Sequence, residues 1–115
     1  MDFPSAVHAL GALANEHRLT VFRLLVQTGP QGLTAGALSS ELQIPASSLS
    51  FHLKDMLNAG LLQARHEGRQ IIYSARFETM NQLIAFLTEN CCGGNPCLPA
   101  ATVSACSASP DGTCP

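Results

Sequence analysis

Cysteine is absent from the first 90 residues of this 115-residue chain, and charge is scarce throughout. Asp, Glu, Lys and Arg make up 12% of it, against a usual ~25%. Six Lys and Arg against eight Asp and Glu leave a net charge of −2. That excludes a broadly basic nucleic-acid coat protein and leaves room for a local basic face. No run of about 18–20 apolar residues occurs; Arg23 interrupts the best stretch, Leu19 to Val26, so no membrane association is expected. Met1-Asp2-Phe3-Pro4 carries no Lys or Arg ahead of an apolar stretch, so no secretory leader is expected and a cytoplasmic location is. There is also no Gly-rich phosphate loop, no paired-carboxylate cluster and no Cys–His pair close in sequence, which argues against an enzyme.

What is present divides at residue 90. Residues 1–90 have the apolar content of a folding domain, the whole chain being 46% apolar. A domain this small has a modest core, and a dimer is a reasonable expectation. Residues 91–115 hold all five cysteines, Cys91, Cys92, Cys97, Cys106 and Cys114, and one formal charge, Asp111. Gly, Pro, Ser, Ala and Thr dominate there, so a flexible tail without regular structure is expected.

The spacing of apolar residues sets the elements of the body. Val7, Leu10 and Leu13 suit a short amphipathic helix over residues 4–14. Asn15 is a good cap for a second helix, with Glu16 in its first turn and Leu19, Phe22, Leu25 and Val26 on one face until Gly29-Pro30 stops it. Thr34 caps a third helix over residues 35–43, and Ile44-Pro45 breaks it. A fourth runs from Ala46 to Asn58, with Leu49, Leu53, Met56 and Leu57 inward and Ala59-Gly60 at its end. These two helices with their short turn form a helix-turn-helix. Residues 61–66 and 70–76 read as a hairpin around Glu67-Gly68-Arg69. Phe77, Met80, Leu83, Ile84 and Leu87 return to helical spacing over residues 77–90. The fold class is therefore mainly α with a β-hairpin wing, a winged helix-turn-helix.

With its core side fixed, the fourth helix offers Ser47, Ser48, Ser50, Phe51, His52 and Lys54 on the other side. Small hydroxyls near a helix N-terminus approach phosphates and base edges closely, and Lys54 adds a cation. The hairpin adds Arg65, His66, Arg69 and Gln70 around its tip. Over residues 46–76, Lys54, Arg65, Arg69 and Arg76 outnumber Asp55 and Glu67. That surplus is modest, so DNA affinity would depend on a dimer doubling the contacts. His52 has an equally good role bracing the helix through its ring nitrogens, and Arg76 can simply pair with a carboxylate. His8 and His17 lie on helices without a partner ligand four residues on.

The segment Cys91-Cys92-Gly93-Gly94-Asn95-Pro96-Cys97 is the chemically loaded one. In a reducing compartment clustered cysteines point to metal or redox chemistry more than to disulfides, and an odd count fits a disulfide framework poorly. Gly93-Gly94 lets the chain fold back, so three thiolates can converge in one loop. Soft thiolates select thiophilic ions. A three-thiolate set without a nearby His or carboxylate suits trigonal As(III) or Sb(III) as inducer. Zn(II) normally takes four ligands, and Cys106 or Cys114 could supply the fourth.

These residues carry a family resemblance. Leu13-Ala14-Asn15-Glu16-His17-Arg18-Leu19 is similar to the Leu-Ala-Asp-Pro-x-Arg motif of the ArsR/SmtB metalloregulators. Ser50-Phe51-His52-Leu53-Lys54 with Ala59-Gly60-Leu61 resembles their recognition helix, and Arg65 to Tyr73 resembles their wing. The likeness covers about residues 5–90. It implies a homodimeric winged-helix repressor whose first and last helices form the dimer interface. There is no cysteine between Leu38 and Pro45, where many arsenic-responsive members carry Cys-Val-Cys, and no His on the last helix, where zinc-type members carry ligands. Some arsenite-responsive members place their thiols just after the last helix, as Cys91, Cys92 and Cys97 stand here. Persulfide-sensing members keep a cysteine in the body, which this chain lacks.

The expectation is therefore an arsenite- or antimonite-responsive repressor of an arsenic-resistance operon. It would bind an imperfect palindrome of double-stranded DNA as a homodimer, with Lys54, Arg65 and Arg69 on phosphates. Ser47, Ser48, Ser50, Phe51 and His52 would face bases, with Gln70 at the wing. Binding of the metalloid by Cys91, Cys92 and Cys97 would release the DNA. The alternatives are a methylated trivalent arsenical, Zn or Cd, or thiol oxidation, sensed through the same tail.

Overall fold

The computed structural model describes residues 1–90, in the order α1 (Phe3–Leu13), α2 (Glu16–Thr28), β1 (Leu33–Thr34), α3 (Ala35–Leu42), α4 (Ala46–Asn58), β2 (Leu62–Glu67), β3 (Gln70–Ala75) and α5 (Phe77–Leu87). The expected winged helix-turn-helix is present. The tail cysteines, and the domain boundary expected at residue 90, lie at or outside the edge of these described residues.

Side-chain caps set the helix starts. Asp2 accepts the Ser5 amide at 2.9 Å, Asn15 that of Arg18 at 3.2 Å, and Thr34 that of Ala37 at 3.1 Å. Each satisfies a donor that the first turn leaves without a partner. Between α3 and α4 the chain turns at Gln43, in a left-handed conformation (φ 55°). Ser39 Oγ donates to the Ile44 carbonyl at 2.6 Å, and Ile44 is buried. That bond and that side chain hold the two helices of the motif at a fixed angle.

The core collects Val21, Phe22 and Leu25 of α2, Leu38 of α3, Leu49, Leu53 and Met56 of α4, and Leu61 and Leu62 at the start of the hairpin. Burying each of the larger ones contributes about 1.5–3 kcal/mol. The first helix joins this core through small residues. Ala6, Ala9 and Ala12 are its buried residues, while Val7 and Leu10 are exposed. Small side chains let α1 lie close against its neighbours, and the larger apolar residues are turned outward. In α5 only Leu83 is buried; Ile84 and Leu87 are exposed. Phe3 and Phe86 meet edge to face at 5.0 Å between ring centroids, joining the outer ends of α1 and α5.

One strand was not expected. β1 pairs antiparallel with β3, Leu33 opposite Tyr73 and Thr34 opposite Ile72, giving a three-stranded sheet in the order β1-β3-β2. Two residues are too few to show a period in the sequence. The nearby Gly32 explains the approach: its φ is +67°, and a Cβ there would lie 2.3 Å from the Tyr73 carbonyl oxygen. In the hairpin Glu67 pairs with Gln70 around Gly68-Arg69. Gly68 has φ +65° and Arg69 does not, the pattern of a type II′ turn.

Candidate nucleic-acid interface

α4 presents two adjacent strips outside the core. Ser47, Ser50, Phe51, Lys54 and Asn58 are all exposed and follow helical spacing along one ridge. Phe51 is 73% exposed, a large apolar ring held in water on a helix that buries Leu49, Leu53 and Met56. Asn58 belongs to this ridge and was not singled out in the sequence, where it reads only as a helix end. Ser50 Oγ donates to the Ala46 carbonyl at 3.1 Å and keeps its lone pairs outward. Pro45 precedes the helix, and no side chain caps its first amides. These amides point where an anion would be favoured.

The second strip is Ser48, His52 and Asp55, of which Ser48 and His52 are half-buried. Its His52 and Asp55 face Arg18 of α2. The Arg18 guanidinium donates from Nε to His52 Nδ1 (3.3 Å) and from Nη1 to the Ala12 carbonyl at the end of α1 (3.3 Å). Its Nη2 lies 3.2 Å from Asp55 Oδ2. His17 lies edge to face against His52 at 5.5 Å. His52 is thus placed as a brace, one of the two roles open to it. Burial, then the Arg18 and His17 charges, lower its pKa, and Asp55 opposes them. The ring that accepts from Arg18 is therefore neutral, with its proton on Nε2. Arg18 also neutralises Asp55, the one acid of α4, so Lys54 stands beside no free carboxylate on its helix. Sequence reasoning gave Arg18 no part of its own. Its signals were a cation in the first turn of a helix in a sparsely charged chain and its place at the Arg of the Leu-Ala-Asp-Pro-x-Arg-like segment.

On the wing the expected residues divide. Arg65 is held within the chain: its Nε lies 2.7 Å from Glu67 Oε2, and Nη1 and Nη2 donate to the Pro30 and Gln31 carbonyls at 3.1 and 2.8 Å. It ties β2 to the loop before β1. Arg69 and Gln70, at the turn, line a shallow groove of about 420 Å³ with Thr34, Ala35, Gly36, Ile71 and Tyr73. The tip of the wing therefore lies against the start of α3. Among the described residues Lys54, Arg69 and Arg76 make no ion pair, so the free positive charge of this region sits on α4, the wing tip and the base of β3.

Cys91, Cys92 and Cys97 lie outside the described residues. The described body contains no cluster of three His, Cys, Asp or Glu side chains that could hold a metal ion. No helix among the described residues is long and apolar enough to cross a membrane.

Comparison with known proteins gives this geometry a family. The helix-turn-helix domain family matches residues 13–63, from the end of α1 to the start of β2. The HTH-type transcriptional regulator YgaV of Escherichia coli K12 is 32% identical over 87 residues, 76% of this chain and 86% of that protein. The transcriptional activator HlyU of Vibrio cholerae is 33% identical over 90 residues, 78% of this chain and 81% of that one. Among solved structures, a homodimeric winged helix-turn-helix DNA-binding domain from Mycobacterium bovis, described as a possible ArsR-family regulator, superposes with a TM-score of 0.62 at 26% identity, covering 73% of this chain and 75% of that one. A possible transcriptional regulator for arsenical resistance gives a TM-score of 0.59 at 29% identity, covering 69% and 79%. Helix-turn-helix, wing and flanking helices are shared across these regulators, and the chain belongs to the ArsR family of winged helix-turn-helix, DNA-binding transcriptional regulators, not to a family of enzymes.

Proposed function

We propose that this chain is a homodimeric repressor of an arsenic-resistance operon, released from its operator when As(III) or Sb(III) binds Cys91, Cys92 and Cys97. The observation that carries this reading is the position of those thiols. They begin four residues after Leu87, the last residue of α5. The outer side of α5, with α1, forms an apolar face: Ile84 and Leu87 are 51% and 59% exposed, and Phe3, Val7 and Leu10 are 73%, 63% and 41%. Large apolar residues left exposed together on a small protein mark an interaction surface. Two copies joined there would bury it, and an ion bound at its edge would act on the packing of the dimer. The solved relatives support both parts: one is described as homodimeric, another as a possible regulator of arsenical resistance.

In the cytoplasm the dimer would set its two α4 ridges into successive major grooves of an imperfect palindrome. Lys54 and Arg69, with the first amides of α4, contact phosphates, and Arg65 fixes the wing that carries Arg69. Ser47, Ser48, Ser50, Phe51 and Gln70 face the bases; Phe51 suits a thymine methyl group. Three thiolates closing on one trivalent ion reorder the chain after α5 and shift the pose of one protomer against the other. By linkage, bound DNA weakens metalloid binding by the same factor. The relative HlyU is named an activator, so the sign of regulation is read from a promoter fusion.

The test is a gel shift on the operator, titrated with arsenite, antimonite, a methylated trivalent arsenical, zinc, cadmium and peroxide. Release by micromolar arsenite, lost in Cys97→Ser, is the expected result. Release by the methylated arsenical alone, with Cys97 dispensable, would move the inducer to Cys91 and Cys92. Release by peroxide with arsenite inert would replace the metalloid by thiol oxidation.

A further inference from the structure

We propose that Arg18, His52 and Asp55 form a clamp that positions the DNA-reading helix, and that protonation of His52 opens it, weakening operator binding in mild acid. The inference rests on the DNA-binding reading of α4 and adds to it a positioning residue outside the interface and a pH response.

The geometry is a three-way junction. One guanidinium joins the carbonyl of Ala12 at the end of α1, the ring of His52 and the carboxylate of Asp55. His52 and Asp55 lie three residues apart on α4, on the strip beside the Ser47-Ser50-Phe51-Lys54 ridge. Arg18 is therefore the polar link that sets how α4 is rotated about its axis relative to α1 and α2, while Leu49, Leu53 and Met56 set its depth. Rotation about the axis decides which side chains reach a groove.

The link works in one protonation state only. His52 Nδ1 accepts from Arg18 Nε, so the nitrogen must be bare. A proton there removes the acceptor and turns two donors toward each other. It also places a third cationic or titratable group in a crevice that has one carboxylate. The groups facing His52 are Arg18 and His17 from α2 and Asp55 from α4; His8 of α1 lines the adjoining crevice with Arg18 and Asp55. Burial and the Arg18 charge keep His52 neutral to a pH below its ordinary range, so the clamp is closed at neutral pH. The expected direction is opposite to the general one. Protonating a histidine beside a polyanion ordinarily strengthens binding; here it weakens it, by up to about tenfold per pH unit for each clamp once below the His52 pKa.

The experiment measures anisotropy of a labelled duplex, selected by the protein from a random pool at about pH 7.5, between pH 7.5 and 5.5 at constant ionic strength. The variants are His52→Asn, whose amide oxygen stands where Nδ1 stands and does not titrate, and Arg18→Lys, which cannot span three partners. The wild type should lose about threefold to tenfold more affinity in acid than His52→Asn. That variant should bind within about twofold of wild type at pH 7.5, and Arg18→Lys should be weaker there. An acid loss that survives in His52→Asn overturns the clamp. So does a large loss in His52→Asn at pH 7.5 with Arg18→Lys unaffected, since His52 would then be touching DNA. Nitrogen chemical shifts of the wild-type ring decide the matter without any variant: Nδ1 should be bare and Nε2 protonated at neutral pH, and the reverse tautomer overturns the proposal. A protein that binds no duplex at pH 7.5 would contradict the DNA-binding reading instead, and the nitrogen shifts would still judge the clamp.

Discussion

Single residues decide more here than their number suggests, because charge is so sparse. Lys54 and Arg69 are free cations on the reading helix and the wing tip, whereas Arg65 is spent on the Pro30 and Gln31 carbonyls and on Glu67. Replacing Lys54 with Ala should weaken binding to all duplexes alike and reduce the slope of log affinity against log salt by about one per protomer. Phe51→Ala should instead relax sequence preference with the salt slope unchanged, read from a panel of single-base operator variants. Two glycines offer a second contrast. Gly32 and Gly68 both have φ near +65°, but only at Gly32 would a Cβ strike backbone, 2.3 Å from the Tyr73 oxygen. Gly68→Ala should cost about 1 kcal/mol of stability and Gly32→Ala at least twice that, a gap of several degrees in Tm by thermal melting. His52 also links stability to pH. Its folded pKa is lowered, so in acid the unfolded chain takes up the proton first. Stability is full above the unfolded value of about 6.5 and declines as pH falls below it.

Among elements, those with a long apolar period or a strong cap were legible in the sequence. Asn15 and Thr34 cap α2 and α3 as their side chains predict, and Leu49, Leu53 and Met56 turn inward as their spacing predicts. α1 was legible as a helix whose stripe, Val7 and Leu10, suits a partner outside the chain; the alanines that pack it to the core were not. Periodicity finds an apolar stripe and does not say whether a neighbour within the chain or outside it will cover that stripe. β1 escaped for lack of length. At the interface, the exposed ridge of α4 was legible from its residue types. The Arg18 clamp was not, because His52 and Asp55 lie 34 and 37 positions away from Arg18 in sequence and meet it only after α2 packs on α4. The facing of α1 and α5 makes a prediction at this scale. Ile84→Glu should leave far-UV circular dichroism unchanged, since the side chain is half exposed. It should also convert the dimer to monomer in sedimentation and weaken operator binding by about a hundredfold or more, as two linked half-sites become independent. A monomer in the wild type would contradict the assignment of this face.

At the scale of the whole molecule, the proposed function divides DNA recognition and inducer binding between two stretches of chain. The body supplies a sparsely charged reading surface whose positive charge is concentrated on α4 and the wing, and it contains no cysteine. On the proposed reading the sensing chemistry falls to residues 91–115, which follow α5 in the chain. This arrangement predicts that inducer response and DNA recognition are separable by mutation. The most direct measurement is an arsenite titration of operator-bound protein, wild type against the triple variant Cys91→Ser, Cys92→Ser, Cys97→Ser. Equal affinity of the two for DNA in the absence of arsenite, with release of the wild type alone as arsenite is added, is the predicted result. Release of both, or of neither, would contradict the account.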